Sequence, residues 1–215
     1  MNNIYLVVLG ICCCCSLVSF RFQYAIHLRM FSILLFITIA TEILANFYFR
    51  AFGFENNYTI YNLYVLLQLL GYAAFYWNIL PTPLMRKSII TTVIIFVIFW
   101  AITTFFYFGV SIWNSYVVIA GDLSIVIFSV LFLYFLITDE AHLNIRYSPE
   151  FWIVAGSIFY FSCEIPFTGM FNYVVENFNE AAIQLKIILQ GLNIIMYSTF
   201  IYAFLCPILR TNTTK

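Results

Sequence analysis

The chain has 215 residues and no formal net charge; 64% of its residues are hydrophobic, 21% aromatic and only 8% charged. A soluble domain carries roughly a quarter charged residues, so a water-soluble globule is excluded. Without a basic face, nucleic acid is excluded as a partner as well. The length suits a single domain over residues 1–215, and the solvent that fits it is the lipid bilayer.

A helix needs about 20 predominantly apolar residues to cross about 30 Å of hydrocarbon. Seven runs of that kind follow one another, at 4–20, 30–49, 59–80, 88–108, 115–137, 151–171 and 182–206. The first holds Cys12 to Cys15 and has no basic residue ahead of it and no small-residue cleavage site after it. It reads as an uncleaved helix rather than a signal peptide. Four consecutive cysteines point in four directions on a helix, so they do not converge on a metal and read as small packing residues.

Arg21 to Arg29 separates the first two segments, and Arg50 to Asn57 the next pair. Asn57-Tyr58-Thr59 matches a glycosylation sequon, relevant only in a eukaryotic secretory cell. Pro81-Thr82-Pro83 with Arg86-Lys87 ends the third segment, because proline cannot continue a helical ladder. Gly109 to Asn114 is a short turn. Thr138 to Glu150, with Asp139, Glu140, His142, Arg146 and Pro149, is the longest loop, and Asn172 to Glu180 is the last connection. Runs such as Ile89–Phe108 do not alternate polar and apolar residues, which rules against a transmembrane barrel. The expected fold is therefore all-α, a polytopic bundle of seven transmembrane helices.

The basic residues orient it. Arg21, Arg29, Arg86, Lys87, Arg146, Arg210 and Lys215 fall on one side and Arg50 and Lys186 on the other. The positive-inside rule then places the N-terminus outside and the C-terminus in the cytoplasm, as expected of a bacterial inner-membrane protein. His27 and His142 fall in the expected cytoplasmic loops, and two histidines do not make a three-histidine zinc site.

Ionisable groups within membrane helices are expensive and read as functional. Glu42, Asp122 and Glu164 each lie seven residues from the expected outer end of their segments, which is about 10 Å deep. Lys186 lies slightly shallower. Polar stripes at helical spacing run through Glu42, Glu164 and Lys186: Thr38, Glu42, Asn46; Ser157, Tyr160, Glu164, Thr168; and Lys186, Gln190, Asn193, Tyr197. On the third segment Tyr61, Tyr64 and Gln68 form another. The candidate ligand- or ion-binding residues are thus Glu42, Asn46, Tyr64, Gln68, Asp122, Tyr160, Glu164, Lys186, Gln190 and Asn193, around an outward-facing polar pocket. Pro166 removes the helical bond to the carbonyl of Ser162, beside Glu164, and is the expected hinge. The competing reading is a polar network that holds helices together, with Lys186 paired to Glu164 or Glu42 or anchored at the headgroups.

No phosphate loop, HExxH motif or serine triad accompanies these groups. The reading is accordingly non-enzymatic, with no catalytic residue, metal or cofactor expected. An offset of 122 residues aligns Glu42 with Glu164 and Gln68 with Gln190, which allows a parallel 3+1+3 repeat. That layout is similar to the sugar-transporter and PQ-loop class, although neither half carries the proline–glutamine dipeptide.

Tyr61-Asn62-Leu63-Tyr64-Val65-Leu66-Leu67-Gln68, Phe151-Trp152-Ile153-Val154-Ala155-Gly156 and Glu164-Ile165-Pro166-Phe167 resemble segments of a family of small bacterial seven-helix membrane proteins. Its function is unassigned, and its members are often encoded near sensor histidine kinases. The resemblance implies a signalling context and a membrane partner such as a sensor kinase. Two functions are therefore expected: a sensor or receptor-like component, or a small proton- or cation-coupled transporter using Glu42, Asp122 and Glu164.

Overall fold

The computed structural model describes residues 4–21, 24–52, 56–138 and 145–213. Within them the chain is all-α: α1 (Ile4–Ser16), α2 (Val18–Arg21), α3 (Ile26–Phe52), α4 (Tyr58–Ile79), α5 (Pro83–Ile102), α6 (Ser115–Thr138), α7 (Pro149–Asn177) and α8 (Asn179–Thr213). A single π-helical stretch, Thr103–Phe108, prolongs α5.

Local chemistry sets the ends. The Thr82 side chain accepts from the Met85 amide at 3.3 Å with Pro83 in the first turn of α5. Ser148 accepts from the Phe151 amide at 3.4 Å, with Pro149 in the first turn of α7. Both satisfy amides that a helix start leaves unpaired, and proline loses nothing there. Gly109, at φ 75°, stops the π-helical stretch in a conformation that favours glycine.

Among the described residues six helical stretches are long and apolar enough to cross a membrane: Ile4–Arg21, Ile26–Phe47, Pro83–Phe108, Ser115–Thr138, Pro149–Phe171 and Glu180–Leu209. These are compatible with an integral membrane protein. The third expected segment is helical as α4 over 22 residues, but Asn62, Gln68 and its tyrosines leave it less apolar than the others. Several helices outrun the expected segments. The expected loop Asn172–Glu180 is mostly helix, with Phe178 alone between α7 and α8. Apolar runs measure hydrocarbon thickness, whereas a helix continues wherever its backbone ladder is cheap, including past the lipid boundary. His27, expected in a loop, lies on α3, where Nε2 is 2.7 Å from Glu150 Oε1 at the start of α7. Asp139, Glu140 and His142 lie outside the described residues.

Packing runs in a ring: α1 against α3, α3 against α4, α4 against α6, α6 against α7, α7 against α8, and α8 back against α1. Helix α5 sits outside this ring, against α4 and α6. The outer surface is apolar, with Ile94, Ile98, Phe106 and Ile137 among many exposed side chains, the pattern of a protein whose solvent is lipid. Several serine and threonine hydroxyls are buried, and those of Ser32, Ser129 and Ser157 donate to the carbonyl four residues back. One half of the interior is a solid aromatic core of Phe31, Phe75, Tyr76, Phe128, Phe161 and Phe200, all fully buried.

Helices α7 and α8 approach closely at Gly156, where a Cβ would run into Thr199 and Phe200. Small residues at such crossings let backbones pack in the absence of a hydrophobic drive between helices. Gly191 meets nothing. Gly156→Ala is expected to destabilise the bundle by about 1–3 kcal/mol. Gly191→Ala should be neutral or stabilising by up to about 1 kcal/mol. Thermal unfolding in detergent compares the two.

Candidate functional site

The polar residues gather where the helix directions require. Glu42 is in the C-terminal part of α3, Tyr61 in the first turn of α4, Asp122 two turns into α6, Glu164 in the second half of α7 and Lys186 near the start of α8. In an alternating bundle these positions share one end. A cavity of about 350 Å³ lies there, enclosed by the ring. Glu42, Tyr64, Gln68, Asp122 and Tyr160 border it, and so do Glu164, Lys186, Gln190 and Asn193. No residue of α5 contributes.

Asn46 is the exception among the candidates. It is exposed, and its Nδ2 donates to the Glu42 carbonyl at 2.8 Å, on its own helix. The stripe Thr38–Glu42–Asn46 assumed that i, i+4 and i+8 share a face. At 3.6 residues per turn the third member has drifted about 80° from the first. Accordingly Thr38 is buried, Glu42 is half-buried and Asn46 faces outward. Pro166, the expected hinge, is also exposed and does not border the cavity, and α7 continues through it from Pro149 to Asn177. Ser157 lies below the cavity, donating to the Ile153 carbonyl at 2.8 Å and standing 3.1 Å from the Tyr72 hydroxyl.

The carboxyl groups have different surroundings. Tyr5 Oη donates to Glu42 Oε2 at 2.8 Å and Tyr61 Oη to the same oxygen at 3.1 Å. Lys186 acts on Glu42 electrostatically, but among the described residues it forms no ion pair within 4.0 Å of any carboxylate. The expected tight pairing of Lys186 with Glu42 or Glu164 is therefore not formed, because its exposed side chain sits at the rim. Asp122 is 3% exposed, and its Oδ2 has no hydrogen-bond partner. Its nearest electrostatic neighbour is Glu164, which interacts with the Tyr160 hydroxyl one turn back on α7. That hydroxyl in turn accepts from Asn193 Nδ2 of α8 at 3.1 Å.

Below these groups the cavity ends on aromatic rings. Phe31 packs at 5.5 Å from Tyr72 and 5.1 Å from Phe200, and Tyr72 at 5.3 Å from Phe161, centroid to centroid. At the other end Trp113 stands 6.2 Å from Phe171. The site is thus polar and acidic in its upper part and aromatic at its floor.

Three participants carried too little signal to be singled out from sequence. Tyr5 is a lone hydroxyl in an apolar first segment. Trp113 sits in what reads as a plain turn. Asn62 holds that turn: its Nδ2 donates to the Val110 and Ile112 carbonyls at 3.0 and 2.8 Å, and its Oδ1 accepts from the Asn114 amide at 3.4 Å. Trp100 Nε1 donates to the Asn62 carbonyl at 2.9 Å, attaching α5 to the same point. A polar residue directly after Tyr61, within the Tyr61–Tyr64–Gln68 stripe, was the available clue. Among the described residues no cluster of histidine, cysteine, aspartate or glutamate has the geometry of a metal site.

No protein family, curated protein or solved structure matches the chain. Fold and site define it as a helical bundle of membrane-protein composition with an internal acidic and aromatic cavity.

If the Tyr5 and Tyr61 hydroxyls bond the Glu42 carboxyl as described, Tyr5→Phe should cost about 1–3 kcal/mol. The same change made in a Glu42→Ala background should cost close to nothing. A double-mutant cycle on thermal or denaturant unfolding measures the difference.

Proposed function

We propose that the protein is an integral membrane protein of the bacterial cytoplasmic membrane with seven membrane-crossing helices. The spans are α1–α2, α3, α4, α5 with its π-helical extension, α6, α7 and α8; the N-terminus is outside and the C-terminus in the cytoplasm. On this reading α4 is the seventh span. Its polar residues are tolerated because they face the ring interior rather than lipid. The excess of basic residues at the end opposite the cavity supports the orientation. The two halves, α1–α4 and α6–α8 with α5 outside the ring, are also read as a parallel 3+1+3 arrangement in which Glu42 and Glu164, and Gln68 and Gln190, correspond.

Its function is to bind a small ligand from the outer side and pass the event through the bundle, as a sensor or receptor-like component. The observation that carries this is the cavity itself. About 350 Å³, room for roughly a dozen waters, lies among buried polar groups and retains an unpartnered Asp122 oxygen. A network serving only to hold helices together would close on itself. The described residues are almost wholly helical, which suits a signal that leaves through helix contacts to a membrane partner. The resemblance to proteins encoded near sensor kinases suggests one of that class. The second reading, a proton- or cation-coupled transporter, draws on the same three carboxyl groups.

Access is tested with Gln190→Cys and a membrane-impermeant thiol reagent, wild-type protein setting the background of the six native cysteines. Labelling is expected from the outer face only; labelling from the cytoplasmic face alone, or none, overturns the reading. In proteoliposomes the receptor reading expects no solute or proton flux. Flux that Glu164→Gln abolishes would establish the transporter instead.

A further inference from the structure

The charge within the cavity is not balanced evenly, and the imbalance bears on what the cavity holds. Glu42 is provided for: two tyrosine hydroxyls bond it, and Lys186 supplies a positive charge from the rim. Among the described residues neither Asp122 nor Glu164 has a cationic group within 4.0 Å. Asp122 is the more deeply buried, with one oxygen unbonded, and its principal electrostatic neighbour is another acid. Two carboxyl groups on adjacent helices, α6 and α7, repel when both are ionised unless a proton or another positive charge comes between them, and in a low-dielectric interior the attraction they offer such a charge is strong.

The size of the space narrows the kind of cation. A proton or a bare metal ion needs no cavity of about 350 Å³, and hard cations want several oxygen ligands converging at 2–2.6 Å. Among the described residues no such cluster is formed. Much of the remaining lining is aromatic or aliphatic: Phe31, Tyr72, Phe161 and Phe200 at the floor, and Tyr160 and Tyr197 on the walls, beside uncharged polar groups such as Gln68 and Gln190. Aromatic faces attract organic cations and pack against apolar bodies, whereas they repel anions. Binding pockets of this volume take compact organic ligands, with a few polar groups fixing their orientation.

On the reading of this cavity as a ligand site, we propose that it takes a small organic monocation. This would be a protonated aliphatic amine with an aromatic or alicyclic body, its ammonium lodged between Asp122 and Glu164 and its body on the aromatic floor. The ammonium donates to the free Asp122 oxygen and to Glu164, whose carboxyl is positioned by the Asn193–Tyr160 pair. Lys186 at the rim disfavours a second positive charge, which limits the preference to monocations. Gln68 and Gln190 remain available to a hydroxyl or amide on the ligand.

The test uses the full chain in nanodiscs and three probes of nearly one shape: phenethylamine, 2-phenylethanol and 3-phenylpropionate. Binding is followed by tryptophan fluorescence, with Trp113 at the cavity edge, and by thermal unfolding. Phenethylamine is expected to bind saturably and raise the unfolding temperature, with the alcohol and the carboxylate weaker by about tenfold or more. Asp122→Asn and Glu164→Gln should each remove that preference while elution and helical content stay as in wild type; should one fail to fold, the other carries the comparison. Unchanged amine affinity in a folded variant overturns the proposal. Equal binding of the alcohol, or tighter binding of the carboxylate, overturns the amine assignment and leaves the cavity a ligand site. If none of the three binds although Gln190→Cys is labelled from outside, the amine assignment fails alone. If none binds and that cysteine is unlabelled, the ligand-site reading fails with it.

Discussion

On the membrane reading a carboxyl group in hydrocarbon costs at least about 2.5–3.5 kcal/mol at the centre of a helix, and this chain carries three of them around one cavity, on three helices. Turning α3, α6 and α7 so that Glu42, Asp122 and Glu164 face one another commits most of the architecture. On the membrane reading the faces opposite then meet lipid, which accounts for the many exposed apolar side chains, while Ser32, Ser129, Ser157, Asn62 and Asn114 are buried. It also requires a closed ring, since an open one would leave the acids at a lipid-filled seam. Contact of α8 with α1 supplies the closure. Helix α5, without an ionisable group in the span 88–108, is under no such demand and lies outside the ring.

Within the ring, the two ends of the interior solve different problems. The half away from the acids is filled with interlocking aromatic rings, dense enough that Gly71 and Gly156 are needed where neighbouring helices press closest. The acidic half cannot be filled the same way, because a carboxyl buried against rings would lack hydrogen bonds. Tyrosine serves both halves: its ring continues the aromatic core and its hydroxyl supplies donors. Tyr5 and Tyr61 do so for Glu42, and Tyr160 for Glu164. Among the described residues no tyrosine hydroxyl bonds Asp122, whose Oδ2 is unpartnered. That asymmetry separates a site from a scaffold here, and it underlies the assignment of the cavity to a ligand.

The legible part of this structure was legible through scarcity. With few charges in the chain, Glu42, Asp122, Glu164 and Lys186 stood out in otherwise apolar segments, and helical spacing linked Tyr64, Gln68, Tyr160, Gln190 and Asn193 to them. All of these border one cavity. Asn46, two turns beyond Thr38, has rotated off the shared face because the helical repeat is not four. Pro166 lies off the cavity as well: a missing backbone bond does not of itself turn a proline's face toward a cavity, and here the ring points outward. Tyr5, Asn62 and Trp113 were illegible because their roles depend on partners from 37 to 52 residues away in sequence or on a turn whose path no local pattern encodes.

What the amino-acid sequence determined alone was the helical class, the approximate places of the apolar segments and the level at which polar groups collect. Each follows from a local quantity: hydropathy over one helix length, or spacing along one helix. The tertiary structure decided which helices neighbour which, that α5 stands outside the ring, that Lys186 stays at the rim without a close ion pair, and that one oxygen of Asp122 is left unbonded. These depend on how each helix is rotated and shifted against the others. That rotation is set by the summed packing of side chains from distant segments, which no single segment contains.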